Sequence, residues 1–310
     1  MVSSCSYGLI PLFSLPVMQA GMLTQSVLIY RFGLGTLFIL LGMLAMKVSP
    51  RITWSQFWRI GVLAFFSMLG AVTLLYGYYY MPSGPATTIQ FSYPVFTCVM
   101  MVLFFHERLT LKVVVAIVLA VLGVMMLSGV SLTDFRSVSI MGVGLELIAG
   151  LTYAIYLVLV PVFKVNEVDS LSLTFWVFVI SVFYLVVWAL LTTGIQPVTT
   201  VDMGINLLLL AFLPTAVSNL TLIIGLRHIG STLTSILGAL EPFTAMVVGV
   251  LVFAEPFTLT VAIGFLCIVA SVTILIHIGR VQYHLLNITF SIKRLVFHTR
   301  CESSTHNTGQ

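Results

Sequence analysis

The sequence predicts an all-α membrane protein: ten transmembrane helices arranged as two inverted-topology five-helix repeats. Three observations lead there. Of the 310 residues, 60% are hydrophobic and only 7% are charged; an ordinary soluble domain carries about 25% charged residues, so this chain has too few to cover a surface facing water. The apolar residues fall into runs of about 20, the length a helix needs to cross a hydrocarbon core about 30 Å thick. Finally, residues 77–127 align with residues 225–275 without a gap.

That alignment sets Gly77 on Gly225, Ser83 on Ser231, Pro94 on Pro242, Glu107 on Glu255 and Thr110 on Thr258, at a constant offset of 148. Roughly a quarter of the paired positions are identical. The matched Gly, Pro and Glu weigh most, because such residues are scarce or positionally special in membrane helices. Duplication of this kind inside an apolar chain is a mark of transporters.

Taken in order, the predicted spans are 2 to 20, 24 to 46, 58 to 80, 85 to 105, 111 to 130, 138 to 160, 170 to 192, 203 to 226, 231 to 253 and 257 to 278. The first lacks a basic leader, and Pro11 and Pro16 interrupt it, so it reads as a kinked span and not as a signal peptide. Thr110, Ser170, Asp202 and Thr258 each precede an apolar run and are expected as helix caps. Residues 1–130 form the first repeat, 138–279 the second, and 280–310 a cytoplasmic basic and polar tail too broken to span. Tyr7 aligns with Tyr153 at an offset of 146, which leaves the first repeat without its opening turns and without a counterpart of Glu146. The native start is therefore expected upstream of Met1.

Charge sets the orientation. With the N-terminus inside, the inner connections hold Lys47, Arg51, Arg59, Arg108, Lys112, Lys164 and Arg227, and the outer ones hold only Arg136. By the positive-inside rule both termini are cytoplasmic, in a bacterial inner (plasma) membrane. Five spans per repeat is an odd number, so the second repeat enters from the opposite side. Two such halves give two nearly equivalent packings, one open to each face.

Three charges lie inside spans. Arg31 is about 10 Å, Glu146 about 12 Å and Glu241 about 15 Å from the nearest span end at 1.5 Å per residue. Each costs at least about 2.5 kcal/mol at a helix centre unless it faces protein, water or a partner, so all three are expected to face inward. Arg31 and Glu146 either neutralise each other, or Arg31 docks a substrate carboxylate or phosphate. Glu241 precedes Pro242, which frees the carbonyl of Gly238; protonated Glu241 either serves that kink or binds a cationic amine or a coupling proton. Tyr7, Tyr153, Tyr156, Gln90, Tyr93 and Asn219 add polar tips at membrane depth. Singly they read as interhelical hydrogen-bonders, together as the lining of a polar cavity. Tyr76, Tyr78, Tyr79 and Tyr80 are assigned to the aromatic belt at the outer interface.

The remaining composition excludes other classes. The net charge of +4 comes with no basic run long enough for nucleic acid. Cys5, Cys98, Cys267 and Cys301 have no metal-ligand spacing, and the Walker A, dinucleotide, GxSxG and HExxH signatures are missing, so no cofactor is expected.

The segments SYPVFTCVMMVLFFHERLTL (92–111) and EPFTAMVVGVLVFAEPFTL (241–259) resemble the EamA-type family of the drug/metabolite transporter superfamily, and Arg31 in the second span fits the same pattern. The resemblance covers residues 1 to 279, with a Pro-to-Glu spacing of 13 in both copies. It departs from the family in its short first span, in Tyr93 standing where the second copy has Glu241, and in the long tail. It implies ten helices in five-plus-five inverted arrangement and ATP-independent movement of small metabolites, commonly amino acids and related compounds. The expected activity is thus secondary transport, as a probable exporter, with a small-molecule substrate and the lipid bilayer as partners; a coupling proton and a homodimer are compatible with it. The alternatives are an intramembrane enzyme acting on lipid or peptide, which needs a nucleophile and base that the marginal His residues do not supply, and a non-transporting scaffold or sensor.

Overall fold

The computed structural model describes residues 1–81, 83–106, 110–127, 139–163, 168–192, 194–244, 247, 259–260 and 262–274. Among these every regular element is helical. In chain order they are α1 (Val2–Tyr7), α2 (Ile10–Gln19), α3 (Thr24–Met46), α4 (Trp54–Gly77), α5 (Ser83–Gln90), α6 (Tyr93–Phe105), α7 (Leu111–Leu127), α8 (Ile140–Val162), α9 (Ser170–Leu191), α10 (Val201–Ala211), a π-helical turn (Phe212–Val217) and α11 (Ser218–Leu237). Helix continues over residues 240–244, and α12 covers Ala262–Ile274.

Among the described residues five stretches are long and apolar enough to span a membrane: Thr24–Met46, Trp54–Gly77, Ile140–Val162, Ser170–Leu191 and Val201–Leu237. The last is two segments, since Gly230 breaks it with φ 79° and ψ 174°, a conformation only Gly adopts without strain. Large apolar side chains such as Leu41, Leu44, Phe104 and Leu190 point outward from the bundle. In water they would form a far larger apolar surface than a soluble protein exposes; in a bilayer they meet acyl chains.

Where single spans were predicted, three are discontinuous. The first divides at Gly8 and Leu9, the fourth at Phe91 and Ser92, and the ninth at Gly238 and Ala239. The helix starts also differ. α4 begins at Trp54 because Thr53 and Gln56 form a capping box, each side chain accepting from the other's amide. Thr110 caps α7 as expected. α9 is capped by Asp169, whose carboxylate accepts from the Leu171 amide, and not by Ser170. α10 is capped by Thr200, leaving Asp202 in the first turn, where its charge favours the helix dipole. Thr258, Glu107, Glu255, Arg108, Arg136, Lys164 and the 280–310 tail lie outside the described residues.

Packing joins the two predicted halves throughout. α3 runs along α9, α4 along α8 and α9, α10 along α2 and α3, and α1 along α11 and the π turn. Hydrogen bonds tie the bundle at both ends. At one, Ser172 Oγ donates to the Ser49 carbonyl, Trp176 Nε1 to the Pro50 carbonyl, Arg59 to the Phe163 carbonyl and Arg227 to the Val168 carbonyl. At the other, Gln196 accepts from the Leu23 amide through its side chain and from the Tyr30 hydroxyl through its carbonyl, while its own amide donates to Ser26 Oγ. Connections that alternate spans would bring to one face therefore do meet there, and Lys47, Arg51, Arg59 and Arg227 gather at the same end.

Candidate functional site

The three helix breaks converge. A Cβ on Gly8 would run into the backbone carbonyl of Glu241, so the break between α1 and α2 crosses that of the ninth span at backbone contact. A Cβ on Gly238 would likewise run into the hydroxyl of Tyr93, the first residue after the break between α5 and α6. Small residues thus let three interrupted helices approach one another, the usual way backbones come close in membranes. The carbonyl of Gly238, which Pro242 leaves without its ordinary donor, is taken by the Glu241 amide at 2.8 Å. The Glu241 side chain is consequently not needed at the kink. Glu241 instead lines a cavity together with Tyr93.

Two small adjoining cavities open beside this crossing. One, of about 20 Å³, is lined among others by Tyr7, Tyr78, Gln90, Tyr93 and Glu241. The second, of about 10 Å³, is lined by Tyr7, Arg31, Gln90, Tyr153 and Asn219 among others. Tyr7 and Gln90 belong to both. One water needs about 10–15 Å³ on this measure, so together they hold one or two waters and no metabolite.

Arg31 anchors the second cavity. It is 1% exposed, and its Nε donates to Thr215 Oγ1 at 2.8 Å. The guanidinium carbon lies 5.6 Å from the Tyr7 ring centre and 5.5 Å from that of Phe32. Its Nη1 has no hydrogen-bond partner although buried. A guanidinium presents five donors in a rigid fork, so an unused N–H edge beside a cavity is a ready seat for a carboxylate or other oxyanion. The Arg31–Glu146 neutralisation does not form, because neither Glu146 oxygen has a hydrogen-bond partner.

Thr215 was not singled out from the sequence. It sits in the π turn, where the widened backbone lets Oγ1 donate to the Leu210 carbonyl, five residues back, while accepting from Arg31. The signal was Pro214 inside an apolar run, since a proline within a helix forces such local adjustment. Asn219, one turn on, donates to the Thr215 carbonyl at 3.0 Å, a bond inside its own helix.

The aromatic rings form a continuous set. Tyr7 stacks on Tyr153 with ring centres 5.9 Å apart, Tyr153 on Tyr156 at 6.4 Å, and Tyr93 meets Tyr153 edge-on at 4.8 Å. Tyr156 lines neither cavity. Glu146 also lies off both, fully buried on α8 against Gly77. Tyr78, assigned from sequence to the interfacial belt, instead turns inward: its hydroxyl is shielded and its ring lines the first cavity, whereas Tyr79 and Tyr80 remain exposed. It follows Gly77 at the very end of α4, so one step along the chain exchanges the membrane face for the interior. Among the described residues no cluster of His, Cys, Asp or Glu has the grouping of a metal site.

Comparison with known proteins agrees with this architecture. A solved structure described only as the crystal structure of a protein superimposes with a TM-score of 0.76, covering 90% of this chain and 95% of its own, at 14% identity, which speaks to the fold alone. No curated protein matches the chain. The EamA-like transporter family matches over residues 1–129 and again over 140–277. Two matches in tandem, filling most of a helical and strongly apolar chain, decide the assignment: this is a multi-pass membrane protein of the EamA-like transporter family, within the drug/metabolite transporter superfamily.

Proposed function

We propose that the chain is a secondary transporter that exports small amphipathic metabolites bearing an anionic group, amino acids among them, by alternating access between two inverted five-helix repeats. One observation carries the reading: positions equivalent in the two repeats face each other around the cavities. Tyr7 stacks on Tyr153, its counterpart at offset 146, and Tyr93 lines one cavity with Glu241, its counterpart at offset 148. Such pairing is what a pseudo-two-fold axis in the membrane plane would produce, and it supports an axis through the crossing of interrupted helices, as in transporters that bind substrate at the midplane.

In the mechanism, Arg31 offers its free Nη1 edge to the substrate's anionic group. Glu241, on the first cavity with Tyr93, lies at the other end of the joined cavities and suits an ammonium group. The cavities are too small for such a molecule as they stand, so binding requires the halves to part on one side. The bonds at Gln196 close one end, and those at Ser49, Pro50, Phe163 and Val168 close the other; releasing one set while keeping the other opens a single face. We place the end rich in Lys and Arg, with both termini, in the cytoplasm of an inner-membrane protein. Purified protein in liposomes, tested by counterflow with a panel of labelled amino acids, amines and organic acids, is expected to move at least one compound saturably. A panel in which nothing moves overturns the proposal.

A further inference from the structure

Glu146 is the largest unexplained feature of the interior. It is 0% exposed, and both carboxyl oxygens are shielded without a hydrogen-bond partner. An ionised carboxylate in such a place has neither water nor donors to offset the loss of hydration, a cost of several kcal/mol or more. A neutral carboxylic acid does not carry that cost. The surroundings are built to this shape: a Cβ on Gly77 would collide with a Glu146 oxygen, so the last residue of α4 is a glycine that leaves the carboxyl its room. The next residue, Tyr78, has a shielded hydroxyl that also lacks a partner, yet its ring lines the cavity shared with Glu241. Glu146 is therefore one residue behind the cavity wall, at the seam between α4 and α8.

We infer that Glu146 is a proton-binding site, separate from the substrate cavities, whose protonation is required for α4 and α8 to close on each other. The inference rests on the transporter reading and makes closure at one end of the bundle depend on the pH of the aqueous phase there, with no net transfer of protons. When the bundle parts at the end where α8 begins, water reaches the seam and the carboxyl releases its proton to it, becoming a carboxylate. Closing demands that the carboxylate take up one proton from the same aqueous phase and become a neutral acid. The titratable groups facing Glu146 are Tyr78 at the end of α4 and, farther off, Tyr7 on α1. From α5, α6 and α11, which also pack on α8, no titratable group among the described residues bears on it.

Infrared spectroscopy of the purified protein tests this without any substrate. Loop carboxylates are ionised at neutral pH and give no acid carbonyl band; a buried acid without a hydrogen bond absorbs at the high-frequency end of that region. The expected result is one such band at neutral pH, abolished in Glu146→Gln and retained in Glu241→Gln. Its absence from the wild type, or its survival in Glu146→Gln, overturns the inference. Should Glu146→Gln fail to assemble, Glu241→Gln decides alone, since loss of the high-frequency band there would assign it to the wrong residue. In liposomes with a compound found by the counterflow panel, raising the pH one unit through the titration of the acid is expected to slow wild-type exchange up to about tenfold, as the closing, protonated form becomes scarce, and to leave the rate of Glu146→Gln unchanged. A variant whose exchange slows as the wild type's does overturns the inference; a panel in which nothing moves bears on the transport reading alone and leaves the infrared result to decide this one.

Discussion

Replacing Thr215 with Val tests the proposed anchoring of Arg31. Valine keeps the branched shape, so the methyl that lies close to Gly35 stays in place, and only the hydroxyl is lost. With it go the acceptor of Arg31 Nε at 2.8 Å and the donor to the Leu210 carbonyl at 2.8 Å. A neutral hydrogen bond between membrane helices contributes about 0.6 kcal/mol on average, but one made to a charged group contributes about 1.5–3 kcal/mol. The guanidinium is 1% exposed and Nη1 already lacks a partner, so no water takes over and the charged value applies. The expected loss is about 2 kcal/mol, a factor of about 30 in the folding equilibrium. Thr215→Ser is the control: it keeps the hydroxyl and forfeits one methyl, at about 1 kcal/mol. Reversible unfolding in mixed micelles reads both, and counterflow reads whether the released Arg31 still holds substrate. If Thr215→Val is as stable as Thr215→Ser or more so, the hydroxyl does not hold Arg31 and the reasoning is refuted.

Other substitutions probe the same frame. Gly238→Ala places a methyl where the Tyr93 hydroxyl sits, so stability and transport should both fall, even though Ala is the better helix former; Gly144→Ala, with nothing within 4 Å of its Cβ, should instead gain up to about 1 kcal/mol. Equal thermal shifts for the two would remove the case for a crowded crossing at Tyr93. Gly230→Ala meets open space but must adopt φ 79°, and should cost about 1–3 kcal/mol through backbone strain alone; an unchanged unfolding midpoint counts against that turn. Arg31→Lys keeps the charge and loses the fork, so counterflow of an anionic compound should drop about tenfold or more while any purely cationic compound is spared.

Much of the bundle was legible because membrane helices announce themselves by length and composition, and the broad run from Thr24 to Met46 coincides with its prediction. The discontinuities were harder to read. Pro11, Pro94 and Pro242 marked all three, but the close approach of Gly8 to Glu241, 233 positions away in the chain, is something no local pattern reveals. The charges inside spans were found by their cost, and their partners were not. Arg31 was matched to Glu146 by depth alone, whereas rotation about the helix axis decides which groups meet; the hydroxyl of Thr215, an ordinary residue in an apolar alphabet, turned out to hold it. Tyr78 shows the same limit, since the four tyrosines at 76, 78, 79 and 80, of similar depth, cannot be sorted into lipid-facing and interior ones without knowing the neighbouring helix.

The narrow hollow among Tyr7, Arg31 and Tyr93 bears on leakage across the membrane. A continuous file of waters through a membrane protein would conduct protons and discharge any gradient held across it. Room for one or two waters at this crossing is too little for such a file there.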